Sequence, residues 1–387
     1  MGNLHHKLKA IRRELHMNPE LGNHEYKTAR LIERELKNLS IKTKRIGKTG
    51  VVGILHSPFG LAGKCFALRA DMDALPIQTQ IKKSYASRVK NCMHACGHDG
   101  NMSIVLGAAR VLAEMKDAWF GSVKFIFQPN EESAGGALHL IKEGVLTNPA
   151  VDAVIGVHVN SQLPSGCIGL KRGRMMASVD QFIIEIIGEG GHGAYPHAGK
   201  DAITIAMHVI QAIQTFVSRC VDTTDPVVIT VGKISGGERF NILAERVRLE
   251  GTVRCLSKGA HAEIPKRLNK LIAGQVRAWG GTYTWRYDVL GETLVNNDDM
   301  IRQAYNAGSV YPGRFKIMYL DKPSMGGEDF AEYLRIVPGC FIYVGTKKNK
   351  ESSYAWHHPK FDIDEEALPV GSRFLAEMAR RFLSQKK

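Results

Sequence analysis

Cys65-Phe-Ala-Leu-Arg-Ala-Asp-Met-Asp73 is a short, nearly continuous apolar run that ends in two carboxylates. Strands covered on both faces of a parallel sheet read this way, because neither face carries an alternating polar row. Three more runs have the same character: Val51 to Leu55, Val123 to Phe127 and Val154 to Val159. Helical patterns lie between them, notably Met102 to Met115 and Ala134 to Glu143, and residues 3–18 and 25–38 precede them as amphipathic helices. Alternating strands and helices predict an α/β fold with a mostly parallel sheet and helices on both faces.

The pattern changes near residue 180. Gln181 to Ile187 alternates, and a long helix follows over about Asp201 to Arg219. Strands at Val227 to Ile234 and Arg246 to Arg254, a helix near Ala260 to Trp279 and a strand at Thr282 to Asp288 complete the series. The order is β-α-β-β-α-β, a small ferredoxin-like α+β arrangement. After residue 292 the α/β character returns, with a last strand at Cys340 to Val344 and a closing helix from about Glu365. The expected organisation is one α/β domain over 1–178 and 292–387, interrupted by an inserted smaller domain over 179–291.

Composition narrows the function. No run approaches the roughly 20 apolar residues of a membrane span. Met1 to Met17 mixes charged and apolar residues and lacks a secretory apolar core, so a cytoplasmic location is expected. Seven scattered cysteines in 387 residues do not form a disulfide framework. The net charge of +14 raises the possibility of a nucleic-acid or other polyanionic partner. Its clusters, Lys7 to Arg13, Lys42 to Lys48 and Lys347 to Lys350, are short and carry no interleaved aromatics. They read as a solvated basic surface, with neither nucleic acid nor membrane as partner.

Polar residues gather where the apolar runs end, the place where open α/β sheets collect ligands. Val123 to Phe127 leads to Gln128-Pro-Asn-Glu-Glu132, Val154 to Val157 leads to His158, and His94-Ala-Cys-Gly-His-Asp99 precedes a helix. His357-His-Pro359 follows the last strand. Cys96, His98, Glu132, His158 and His357 offer the S, N and O donors that a divalent transition metal prefers. The adjacent Glu131 and Glu132 repel each other unless a cation takes one, which leaves the other free as a base. Each feature also has a plain alternative: a hydrogen-bonded loop histidine, a surface Glu pair, or Asp71 and Asp73 capping a turn.

Six motifs carry a resemblance over nearly the whole chain. They are Arg69-Ala-Asp-Met-Asp-Ala-Leu-Pro76, His94-Ala-Cys-Gly-His-Asp-Gly100, Phe127-Gln-Pro-Asn-Glu-Glu132, Gly190-Gly-His-Gly-Ala-Tyr-Pro-His197, Ser324-Met-Gly-Gly-Glu-Asp-Phe330 and His357-His-Pro-Lys-Phe-Asp-Ile-Asp364. Together they resemble the hippurate hydrolase, N-acyl-amino-acid amidohydrolase and indole-acetyl-amino-acid hydrolase branch of the aminoacylase and carboxypeptidase superfamily. The resemblance implies two divalent metal ions, drawn from zinc, manganese, nickel or cobalt. It makes Cys96, His98, Glu132, His158 and His357 the ligands, with Cys96 as the bridge. Glu131 becomes the general base and Asp73 the aspartate that orients a ligand.

The inserted domain resembles a lid that also mediates homodimer formation. There His192 matches an oxyanion-stabilising histidine, acting in some relatives across the dimer, and Asn241 matches a substrate-contacting asparagine. The His-x-Pro pattern selects His357 over His358, and His94 reads as a loop residue near the site. Asn101, Asn130, Glu189 and Ala244 depart from the pattern, and none is an implied ligand. The implied activity is amide hydrolysis of N-acyl amino acids of acetyl, benzoyl or indole-acetyl type. The alternatives are a dipeptidase or carboxypeptidase with the same metals, or an inactive or polyanion-binding relative.

Overall fold

A computed structural model describes residues 2–59, 63–309 and 315–384. The remainder of the expected catalytic region lies outside the described residues. The chain forms two compact units, one over 1–175, 295–322 and 329–387, the other over 176–294 and 323–328.

In chain order the principal strands begin with β1 Lys42–Ile46, β2 Gly50–His56, β3 Cys65–Asp71, β4 Ser122–Gln128, β5 Ala153–Pro164 and β6 Cys167–Leu170. Next come β7 Val179–Ile187, β8 Val227–Gly236, β9 Arg246–Cys255 and β10 Thr282–Gly291, then β11 Lys316–Tyr319 and β12 Gly339–Lys347. The principal helices are α1 Gly2–Met17, α2 Tyr26–Lys37, α3 His98–Glu114, α4 Gly136–Lys142, α5 Ala202–Cys220, α6 Lys258–Ala278, α7 Asp298–Ser309 and α8 Ala367–Ser384.

The larger unit holds an eight-stranded sheet in the order β1-β2-β4-β3-β5-β12-β6-β11. The pairs β4-β3, β3-β5, β5-β12 and β6-β11 are parallel, while β1-β2, β2-β4 and β12-β6 are antiparallel. Every residue of β3 and β4 is buried. Successive side chains of a strand point to opposite faces, so both faces of the sheet centre are covered, as the apolar runs require. Helices α1, α3 and α8 pack together, and α3 and α8 reach β3. Residues from all of these form one core that includes Phe66, Leu68, Ile104, Leu106, Phe374 and Leu375.

The smaller unit is an antiparallel sheet in the order β8-β9-β7-β10, with α5 and α6 packed on it. Burial along β7 alternates residue by residue, as in a sheet with one covered face. Asp201 and Ser257 cap α5 and α6 by accepting from the amides of Ile203 and Ala260.

Candidate active site

The potential metal donors lie on the larger unit, around the carboxyl ends of β3 and β4 and the start of α3. Cys96, Gly97 and His98 form the turn into α3. Gly97 has φ +94°, and a Cβ there would sit 2.4 Å from Val159 Cγ2. Only glycine combines the left-handed backbone with that close approach, so this residue lets a thiol and an imidazole emerge side by side.

Backbone acceptors fix the tautomers. His98 Nδ1 lies 2.8 Å from the Asp73 carbonyl and His158 Nδ1 lies 2.8 Å from its neighbour's, Val159. A carbonyl can only accept, so both Nδ1 atoms carry hydrogen and each Nε2 is turned elsewhere. His158 Nε2 faces Cys96 Sγ at 3.5 Å, and His98 Nε2 faces Glu132 Oε1 at 3.9 Å. The two rings stand edge to face with centroids 5.5 Å apart. Trp356 Nε1 also donates to the Val159 carbonyl, at 3.0 Å.

Asp73 does more than accept from an imidazole. Its two carboxylate oxygens receive the backbone amides of Glu131 and Glu132, each at 3.0 Å. The preceding Asn130 has φ +57°, a conformation that asparagine tolerates better than most residues, and its amide donates to Glu25 Oε1. This turn presents Glu132 with Oε1 3.4 Å from His357 Nε2. His357 itself has φ +65° and donates its amide to the Ala95 carbonyl at 2.9 Å. His358 instead stacks on Tyr354 at 4.5 Å, so the structure brings His357 and not its neighbour to the donors.

The potential ligand atoms converge in overlapping groups. Those of Cys96, His98 and His158 lie within 4.8 Å of one another, as do those of Cys96, Glu132 and His357. Those of His98, Glu131 and Glu132 meet the same limit. Cys96 therefore belongs to two donor sets at once. Among the described residues, His98 Nε2 and Glu132 Oε1 are buried without a hydrogen-bond partner. Buried polar atoms are normally satisfied, and mixed S, N and O donors that converge unsatisfied fit a divalent transition metal.

Burial, with Glu132, Glu131 and Asp71 nearby, pushes the Cys96 thiol well up. Burial also pushes His158 down to about 4. It would lower His98 as well, but Asp71, Asp73 and Glu132 outweigh it and raise that imidazole to about 10. Glu132 is held below the usual carboxylate range, since His357 and His98 outweigh its burial. His94 is buried, neither ring nitrogen has a hydrogen-bond partner among the described residues, and burial lowers it to about 4, so it packs as a neutral ring.

His192 and Asn241 lie together on the smaller unit. The short strands Gly191–His192 and Ile242–Leu243 pair, with His192 opposite Ile242, and the Asn241 carbonyl accepts from the Gly193 amide at 2.9 Å. His192 Nδ1 accepts from the Ala194 amide at 3.1 Å, which leaves its Nε2 edge at the surface. Sequence reasoning missed the buried support. Arg12 in α1 reaches Asp99 at 2.8 Å and Asp362 at 2.7 Å. The fully buried Asn101, three residues beyond His98, was visible only as an oddity in its motif.

Residues 67–381 match Peptidase family M20/M25/M40, and the chain belongs to that family. An N-acetyl-L-cysteine deacetylase of Bacillus subtilis is 38% identical over 100% of this chain and 91% of its own length. IAA-amino acid hydrolase ILR1-like 4 of Arabidopsis thaliana is 37% identical over 97% of this chain and 86% of its own. A solved structure, the Bacillus subtilis YXEP protein, described as a dinuclear metal binding peptidase from the M20 family, superposes with a TM-score of 0.85. It is 34% identical and covers 99% of both chains.

Proposed function

We propose that this chain is a metal-dependent amidohydrolase that cleaves the amide bond of N-acyl amino acids, releasing a carboxylic acid and a free amino acid. The observation that carries the reading is Cys96, whose sulfur is common to one donor set with His98 and His158 and another with Glu132 and His357. These five residues would hold two divalent ions, of zinc, manganese, nickel or cobalt, and Cys96 would serve both donor sets. Bound there, the ions supply Lewis acidity to the scissile carbonyl and to a water molecule.

The remaining work falls to side chains. Glu131 takes the proton of the attacking water and passes it to the leaving nitrogen. Asp73 holds both glutamates through their amides and His98 through its carbonyl, so one residue sets base and ligand together. His192 donates to the developing oxyanion, and Asn241 contacts the substrate. The relatives that are an N-acetyl-L-cysteine deacetylase and an IAA-amino acid hydrolase support this substrate class.

In this reading the smaller unit serves as lid and homodimer surface. Exposed Met207, Ile234 and Phe240 on it support the dimer, which light scattering would weigh directly. Seven free thiols favour the reducing cytoplasm. Among the described residues no helix is long and apolar enough to cross a membrane.

The deciding assay offers N-acetyl, benzoyl and indole-acetyl amino acids, with unblocked dipeptides beside them, in the presence of each metal. Turnover of the blocked compounds is expected. Turnover of dipeptides alone would make the protein a dipeptidase, and no turnover of any would remove the hydrolase assignment.

A further inference from the structure

We infer that Asn101 is a positioning residue whose single carboxamide sets both the His158 segment of β5 and the Asp71 carboxylate against the metal donors. The inference rests on the metal-site reading above and assigns that site a support that none of its donors contains. Asn101 lies in the first turn of α3, on the same face as His98 three residues earlier. Its Oδ1 accepts from the Val159 amide at 2.8 Å, and its Nδ2 donates to Asp71 Oδ1 at 2.8 Å. Asn101, Asp71 and Val159 are all fully buried. The orientation of the carboxamide is not interchangeable, because an amide N–H needs the oxygen and a carboxylate needs the NH2.

Each arm leads to a donor. Val159 is held at its amide by Asn101, while its carbonyl accepts from His158 Nδ1 and Trp356 Nε1. A shift of Val159 moves both of these groups and turns the His158 ring away from Cys96. On the other side, Asp71 Oδ2 takes Arg69 Nη1 at 3.0 Å and lies 3.8 Å from His98 Nε2. Asn101 thus fixes which carboxylate oxygen remains beside the metal-facing nitrogen of His98. A residue that only filled space would need no such donor on one side and acceptor on the other.

Exchange of the two polarities tests this. Asn101→Asp keeps the acceptor for Val159 but sets two carboxylates against each other. In the Asp71→Asn/Asn101→Asp double variant, donor and acceptor change sides, and the bonds to Val159 and Arg69 keep their partners. Metal-free protein is titrated with cobalt(II), and the thiolate-to-cobalt charge-transfer band reports binding at Cys96. Ser372→Ala is the control for stability alone, since its buried hydroxyl donates to the Ile104 and Leu368 carbonyls away from the donors.

Affinity is expected to fall by about 10–100-fold in Asn101→Asp, to recover most of that loss in the double variant, and to stay unchanged in Ser372→Ala. Should Asn101→Asp not fold, Asn101→Leu takes its place and is expected to show the same loss. Wild-type affinity in the single variant, or a double variant no tighter than the single, would overturn the role of Asn101. A wild-type protein that gives no thiolate band would overturn the metal-site reading itself.

Discussion

Asp73 Oδ2 receives the backbone amide of Glu132 at 3.0 Å, so one buried carboxylate governs where the Glu132 carboxylate can stand. Asp73→Asn would replace one of two acceptors with a donor that faces an amide. Metal affinity is expected to drop by about 10–100-fold, measured by competition with a chelator. Unchanged affinity would show that the Glu131-Glu132 turn holds its shape unaided.

Glu131 has a separable role. Glu131→Gln removes the proposed proton shuttle and leaves Cys96, His98, Glu132, His158 and His357 in place. Turnover should fall by about 10²–10⁴-fold with metal content unchanged, read by steady-state assay and elemental analysis of the same sample. Loss of metal alongside turnover would make Glu131 a ligand and not a base.

Gly97 is expected to accept no side chain. Gly97→Ala combines a left-handed backbone with a contact 2.4 Å from Val159 Cγ2. Strain of about 1–3 kcal/mol should appear in the chemical-denaturation midpoint, together with weaker metal binding, because Cys96 and His98 flank the turn. A variant as stable as the wild type would show that the turn can relax.

Acid should loosen the support beneath α3. Burial would raise the carboxyl groups of Asp99 and Asp362, but Arg12 outweighs it at both, with His16 adding to Asp99 and Lys83 to Asp362. Both therefore ionise well below the usual carboxylate range. A folded-state value below the unfolded one, which is about 3.9 for Asp, stabilises the fold fully above that pH. The stabilisation is lost as the pH falls further, through the folded-state values. Arg12→Leu takes the shared guanidinium from two buried carboxylates and should cost about 3–5 kcal/mol near neutral pH. Its acid-unfolding midpoint should move to higher pH, as followed by circular dichroism. An unmoved midpoint would take Arg12 out of the acid response.

What could be read from the residues follows from burial. β3, β4 and most of β5 are covered on both faces, and their apolar runs are visible without any structure. β1, Lys-Thr-Lys-Arg-Ile, lies at the sheet edge with a largely solvated face, so its residues read as a basic cluster. β11 at the opposite edge is similarly faint, and so is the short β6 beside it. In the site, the potential donors stand out as polar residues after apolar runs. Their supports do not, because Arg12 meets Asp362 across 350 positions and Asn101 meets Val159 across 58. Contacts that distant leave no local pattern. Motif spacing selects His357 over His358, and it is the His357 ring that lies beside Glu132 while His358 stacks on Tyr354.

The shared thiolate is tested most directly by anomalous diffraction from crystals grown with zinc. The arrangement of Cys96 between two donor sets requires a pair of peaks, each about 2.3 Å from its sulfur, one beside His98 and His158 and the other beside Glu132 and His357. A single peak, or a pair of which only one lies within bonding distance of Cys96, would contradict it.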